Sequence, residues 1–300
     1  MSPVTGKNAV QLVKEFDSKY IVDLYQRELS VDVRKFFADV PLVRVYECLD
    51  TGYRYYEPSK IVGDPELYEK LQEIPWYYST GKEEHLVALD AFSSNQHALE
   101  VGCGSGVFLN LLRDKGVTAV GLEFNSTAVR KASTKGLTVF QESIEEHVTK
   151  HHEFYDVVAS FQVLEHVVNV QSFLNASLQA LRLGGTLIVS VPNNDGAYHK
   201  FHEDPLNMPP HHMGLWGVNS LIALQQHFPL QLEKLVTDTS TPSEWIHKHA
   251  MQAVENNLRP KFGCLSPIIC SLSQKFIKRG AESMSEFMPG QTVTAFYRKC

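Results

Sequence analysis

The stretch Ala98-Leu99-Glu100-Val101-Gly102-Cys103-Gly104-Ser105-Gly106-Val107-Phe108-Leu109 constrains this chain more than any other. The apolar run ending at Val101 suits a parallel strand covered on both faces, and Phe108, Leu109, Leu111 and Leu112 give the following residues an apolar helical face. Between them, Gly102, Gly104 and Gly106 remove Cβ atoms where the backbone must turn sharply and where a ligand can lie against it. The positive end of a helix stands beside that turn. The stretch is therefore half of a βαβ unit that offers backbone N–H groups to something polar.

The same rhythm continues downstream. Strands are predicted over 97–102, 118–123, 137–140, from Tyr155, and within 183–193, where a helix terminator precedes the strand and a stop follows it, with helices over 107–115 and 126–135 between them and further strands over 230–237 and 292–298. The fold class is α/β, a doubly wound Rossmann-like sheet with an N-terminal appendage. Residues 1–80 have a different texture and are expected to form a helix and hairpin layer on the substrate side, ahead of a main domain over 81–300. Ser18 can cap a helix running through Tyr20, Ile21, Leu24 and Tyr25. The strands Leu42–Cys48 and Tyr53–Tyr56 flank Leu49-Asp50-Thr51-Gly52, a tight turn with Gly where φ must be positive.

Composition narrows the function classes. Three hundred residues with 43% hydrophobic content can bury a core, and a formal charge of −6 argues against binding nucleic acid through a general electrostatic field. Cys48, Cys103, Cys264, Cys270 and Cys300 are odd in number and scattered, which reads as free thiols in a reducing compartment. No leader pattern and no run of about 18 apolar residues is present, so a cytoplasmic protein is expected. The stretch 239–290 reads as a helical insertion. Its apolar positions and Lys261, Lys275, Lys278 and Arg279 would suit a membrane surface, but Glu255, Glu282 and Glu286 dilute the charge, and a helical cap or a homodimer contact is preferred.

The glycines run G-x-G-x-G, so Val107 stands where a dinucleotide fingerprint needs its last glycine. Glu100, two residues before the first glycine, would repel a pyrophosphate and welcome a cationic amino or sulfonium group. Both departures favour S-adenosylmethionine. The stretch resembles the first motif of the class I S-adenosylmethionine-dependent methyltransferases, and Tyr155–Val167 and Leu183–Asn193 resemble that family's later motifs. The resemblance implies the strand order 3-2-1-4-5-7-6 with the last strand antiparallel, and S-adenosylhomocysteine as product.

It also implies a cofactor site. Gly102, Cys103, Gly104 and Gly106 would line the turn with Glu100, while Glu123 and Phe124 end the second strand, about twenty residues on, where a carboxylate can accept both ribose hydroxyl protons. Ser143 and Ile144 occupy the place that reads adenine, although many relatives have Asp at Ser143. Gln162 would sit beside the sulfonium with His166 nearby, and Tyr77 and Tyr78 would close over the methionine end. In quinone-ring O-methyltransferases an acid at the Glu165 place is linked to a divalent ion. Here the sequence identifies no further oxygen ligands, so Glu165 and His166 are read as capping and packing, with no metal site. The hairpin resembles the C-x-x-C-G element of relatives of the deoxysugar C-methyltransferases, but Thr51 replaces the second cysteine after Cys48, so no zinc is expected.

The segment Asn194–Gly217 carries His199, His202, His211 and His212 with Glu203 and Asp204. A metal site, a structural loop and a substrate-facing loop with a general base are its three readings, the last preferred. Pro209–Trp216 resembles a stretch in the C-methyltransferase relatives where a histidine four residues before an aromatic is the base. That place belongs to His212, with His211 as the second candidate, Trp216 as a wall of the acceptor pocket, and Tyr77 and His199 on the substrate side. The activity so implied is methyl transfer to a small-molecule acceptor. A non-catalytic S-adenosylmethionine-binding or scaffold protein and a nicotinamide oxidoreductase are the rival readings.

Overall fold

The computed structural model describes residues 1–74, 77, 83–196, 203–238 and 290–300. Tyr78, His199, His202 and nearly all of the expected insertion lie outside the described residues.

The N-terminal part contains β1 (Val10–Asp17), α1 (Ser18–Leu29), β2 (Leu42–Cys48), β3 (Arg54–Glu57) and α2 (Pro65–Gln72). Asp17, not Ser18, caps α1, its carboxylate accepting the Lys19 N–H at 2.8 Å. A carboxylate caps as well as a hydroxyl, and the Ser18 N–H is already drawn to the Pro41 carbonyl at 2.9 Å. Ile21, Leu24 and Tyr25 form the buried face of α1. The turn between β2 and β3 is as expected, with Gly52 at φ +69°. β1 had no counterpart in the sequence reading, because five successive residues of it are exposed and its apolar pattern does not alternate.

The larger part runs through α3 (Glu83–Leu89), β4 (His97–Val101), α4 (Val107–Asp114), β5 (Thr118–Leu122), α5 (Ser126–Ser133), β6 (Thr138–Phe140), α6 (Ile144–Val148), β7 (Tyr155–Phe161), α7 (Val170–Ala180) and β8 (Leu181–Pro192). It finishes with β9 (Gly214–Leu215), α8 (Val218–Ala223), β10 (Leu230–Thr237) and β11 (Thr292–Lys299). The seven-stranded sheet has the order β10-β11-β8-β7-β4-β5-β6. Strands β6 to β8 through β4 and β5 are parallel, and β11 lies antiparallel between β8 and β10. This is the expected order with its reversed last strand. All seven residues of β7 are buried, and neighbours point alternately into two cores. Leu99, Val158, Leu187 and Val189 enter one with Trp216, whereas Ala98, Val157, Ala159 and Ile188 enter the other with Phe108. Burial on both faces is why these strands read as continuous apolar runs.

The chain leaves β4 toward β5 and β6, then returns to β7 on β4's other side, so the topological switch lies between β4 and β7. A second sheet has the order β1-β2-β3-β9. Its fourth strand comes from the histidine segment, where the sequence predicts a loop. Two residues are too few to show a period, and only their pairing, Arg54 with Leu215 and Tyr55 with Gly214, makes them a strand. Among the described residues no helix is long and apolar enough to cross a membrane.

Candidate active site

The glycine turn is fastened from both sides. The Gly102 and Cys103 N–H groups both donate to the Leu122 carbonyl, at 2.8 and 3.0 Å, binding the turn to the end of β5. Gly102, Gly104 and Gly106 have φ of +74°, +54° and +79°. A Cβ on Gly102 would stand 2.4 Å from Val163 Cγ2, and one on Gly106 would stand 2.3 Å from Leu137 Cδ1, but one on Gly104 meets nothing within 4 Å. The outer glycines therefore permit close packing, and the middle one faces open space at the switch point. Glu123 aims at that space: its carboxylate accepts the Gly104 N–H at 2.9 Å and the Asn125 N–H at 2.8 Å. Phe124 beside it is 69% exposed.

Glu100 is buried beneath the turn. The Cys103 side chain packs inward, so close to Gly121 that a Cβ there would lie 2.5 Å from its sulfur. Burial, helped by the charges of Glu100 and Glu123, raises its pKa far above the usual thiol value, so Cys103 offers the site its backbone rather than a thiolate. Ser143 stands before α6 in a capping box, its hydroxyl accepting the Glu146 N–H at 3.1 Å while Glu146 accepts the Ser143 N–H. Ser caps as Asp would, which accounts for the exchange at this position. Ile144 is buried in the core.

At the carboxyl end of β7, Gln162 adopts φ +57° and its N–H donates to the Ser190 carbonyl at 2.8 Å. A non-glycine residue in the left-handed region marks a place where surrounding structure imposes the backbone. Three residues on, the fully buried Glu165 receives the Met213 and Gly214 N–H groups on its backbone carbonyl at 2.8 and 2.9 Å. Those bonds bring the histidine segment to the end of β7.

Three imidazoles meet there. His166, His211 and His212 each present a ring nitrogen within 4.8 Å of the others. Glu165 Oε1 lies 4.0 Å from Nε2 of His166 and 4.0 Å from Nε2 of His212. His166 Nδ1–H donates to the His211 carbonyl at 2.7 Å, and His211 Nδ1–H donates to the Leu206 carbonyl at 2.8 Å. The Tyr77 hydroxyl sits 2.7 Å from His211 Nε2, which therefore accepts. Burial first, then the charge of His166, hold the His211 pKa well below the usual imidazole value. Asn207 donates from Nδ2 to Asn194 Oδ1 at 2.7 Å, an orientation that turns its own Oδ1 toward His212 Nδ1 at 3.1 Å.

The N-terminal layer encloses this group. Tyr56 donates to the Asn207 carbonyl at 3.1 Å and Tyr25 to the Met208 carbonyl at 2.9 Å. Tyr68 packs edge-on against His166. No sequence signal marks Asn207, whose part depends on partners far away in the chain. Trp216 corrects an expectation: it is fully buried, its ring 4.2 Å from that of Tyr53 and its Nε1–H donating to the Leu164 carbonyl at 3.3 Å. An indole with its polar edge satisfied packs the core beneath the histidines instead of walling a pocket.

Residues 80–235 match the family described as a methyltransferase domain. The chain belongs to the class I S-adenosylmethionine-dependent methyltransferases. Over 104 residues this methyltransferase is 38% identical to the ubiquinone biosynthesis O-methyltransferases of Salmonella enteritidis PT4 and Salmonella newport, a match covering 33% of the chain and 43% of the relative in each case. The matched part is thus under half the length of those curated relatives. A solved S-adenosylmethionine-dependent methyltransferase from Archaeoglobus fulgidus is similar with a TM-score of 0.49 and 14% identity, covering 80% of this chain and 97% of that one. The cofactor of this methyltransferase is S-adenosylmethionine.

Proposed function

We propose that this methyltransferase moves the cofactor's methyl group to a small-molecule acceptor held against His166, His211 and His212, with His212 taking the acceptor's proton. The observation that carries the reading is the placement of the histidines on the carboxyl end of β7, next to the strand that feeds the glycine turn. The turn and Glu123 would hold the nucleoside, with Glu123 accepting ribose hydroxyls in place of, or alongside, its backbone donors. The name of the Salmonella relatives, ubiquinone biosynthesis O-methyltransferase, supports an acceptor with a hydroxyl.

Methyl transfer is an in-line displacement at carbon. The sulfonium is already activated, so protein groups need only keep the nucleophile on axis and remove its proton. His212 suits the second task better than His211. The Nδ1–H of His212 is committed to Asn207, which leaves the lone pair on Nε2, whereas His211 accepts the Tyr77 hydroxyl and its low pKa makes it a weak base. The free thiols of Cys48, Cys103 and Cys300 suit a reducing cytoplasm, where we place the enzyme.

Calorimetric titration with S-adenosylmethionine, S-adenosylhomocysteine and NADH comes first, followed by an acceptor screen. Binding of the first two and not the third is the expected result. With an acceptor in hand, His212→Ala should lower kcat about 100-fold or more, the scale of general-base catalysis. A wild-type rate in that variant between about pH 6 and 9 would refute the assignment of the base.

A further inference from the structure

We infer that His166, His211 and His212, with the Glu165 carboxylate, form a binding site for a divalent transition metal. The donors come from two separate segments: two follow β7 and two belong to the segment that ends in β9. The fold brings them to one point. One nitrogen from each ring lies within 4.8 Å of the others, and Glu165 Oε1 stands 4.0 Å from two of the rings.

The outer hydrogen bonds are those that a metal centre needs. Each ring has an oxygen acceptor at Nδ1: the His211 carbonyl for His166, the Leu206 carbonyl for His211, and Asn207 Oδ1 for His212. Such bonds fix the tautomer that puts the lone pair on Nε2 and orient the ring. Glu165, His211 and His212 are 0%, 5% and 7% exposed, so the donors are held by packing. A tetrahedral ion with bonds of about 2.1 Å keeps its ligand atoms about 3.4 Å apart. Movements of about 1 Å would therefore close the group on an ion, with the Tyr77 hydroxyl giving way at His211.

Three imidazoles and one carboxylate suit Zn²⁺, Fe²⁺, Co²⁺ or Ni²⁺ and not Mg²⁺ or Ca²⁺, which take oxygen ligands. The existence of the site rests on this geometry alone. Its part in the reaction rests on the proposed function and changes one role in it: with His212 Nε2 on the ion, the ion and not the free imidazole would make an acceptor oxygen acidic, and the proton would pass to solvent.

The metal-stripped full-length chain should be titrated with Co²⁺ and followed by its visible ligand-field bands. One equivalent is expected to bind and to be displaced by Zn²⁺. His166→Ala and His212→Ala should each weaken Co²⁺ binding at least 100-fold, and Asn207→Ala, which removes only the outer bond to His212, about 10-fold. His152→Ala, on the exposed surface, should leave it unchanged. Parent-like far-UV circular dichroism and cooperative urea unfolding show that these variants are folded. Absent bands, or equal Co²⁺ affinity in His166→Ala, His212→Ala and the parent, would overturn the site. A protein that binds Co²⁺ as described but methylates no acceptor keeps the metal site and removes the proposed function instead.

Discussion

Two alanine substitutions two residues apart, Gly104→Ala and Gly106→Ala, should separate cofactor binding from folding. Both place a Cβ on a left-handed residue, at φ +54° and +79°, which costs about 1–2 kcal/mol of stability in each case. At Gly106 the new methyl also meets Leu137 Cδ1 at 2.3 Å and Ala132 Cβ at 3.3 Å. The leucine tip can swing, but Ala132 is fully buried on α5, so overpacking adds about 1–3 kcal/mol. Urea unfolding should therefore show a loss of about 2–5 kcal/mol for Gly106→Ala and about 1–2 kcal/mol for Gly104→Ala. Cofactor affinity should rank the other way. The Gly104 methyl enters open space on the face of the turn to which Glu123 is hydrogen-bonded, and a tenfold or greater loss of S-adenosylmethionine binding, about 1.4 kcal/mol, is expected by calorimetry. If Gly104→Ala binds the cofactor like the parent and loses as much stability as Gly106→Ala, the open face of the turn is not where the cofactor lies.

Other perturbations read the remaining parts. Glu123→Gln keeps an acceptor but removes the charge facing the turn, and should weaken S-adenosylmethionine by about 1.5–3 kcal/mol; an unchanged calorimetric Kd would place the ribose elsewhere. Acid should destabilise the fold through His147, which is completely buried between Glu142 and Tyr155. Burial lowers its pKa more than the Glu142 hydrogen bond raises it, so the unfolded chain binds more protons, and stability present above about pH 6.5 is lost as pH falls below it. His211 acts in the same direction, so urea midpoints at two pH values on either side of that point should differ less in His147→Gln than in the parent, and equal differences would refute the assignment. Tyr56→Phe removes the hydroxyl from the Asn207 carbonyl and should cost about 1 kcal/mol in urea unfolding and lower kcat with cofactor affinity intact; a parallel loss of cofactor affinity would show that the layer supports the whole site.

The parallel strands were legible because each is buried on both faces and so appears as an apolar run, and the glycine turn because left-handed backbone excludes most other residues. Glu123 and Gln162 directly follow β5 and β7, so their places in the fold come with those strands. The N-terminal layer was harder to read. β1 is an edge strand with Leu12 and Val13 exposed, and β9 is two residues long, so neither carries a periodic signal. Trp216 was misplaced because an aromatic close to a histidine pair suggests a pocket, and only the contacts with Tyr53 and Leu164 reveal it as core. The meeting of His166 with His211 and His212 could not be read at all, since it depends on bonds between residues far apart in sequence.

Those bonds explain why the second sheet matters to chemistry performed beside the first. The cofactor turn is secured by its own neighbours: Leu122 takes two of its N–H groups, and Val163 and Leu137 fill the space against Gly102 and Gly106. These three residues all belong to the larger part of the chain. The histidines have the opposite dependence. His212 is oriented by Asn207, whose carbonyl is held by Tyr56; Met208 is held by Tyr25; and Met213 gives its carbonyl to the Tyr56 N–H at 2.9 Å while its own N–H goes to Glu165. The described residues from Asn207 to Leu215 are thus held by both sheets, at the end of β7 through Glu165 and on β3 through β9. Changes in the layer can therefore move the histidines relative to a fixed cofactor turn. A displacement of about 1 Å at a reacting group is enough to cost about 100-fold in rate, so substitutions in the layer can alter acceptor chemistry without entering the cofactor site.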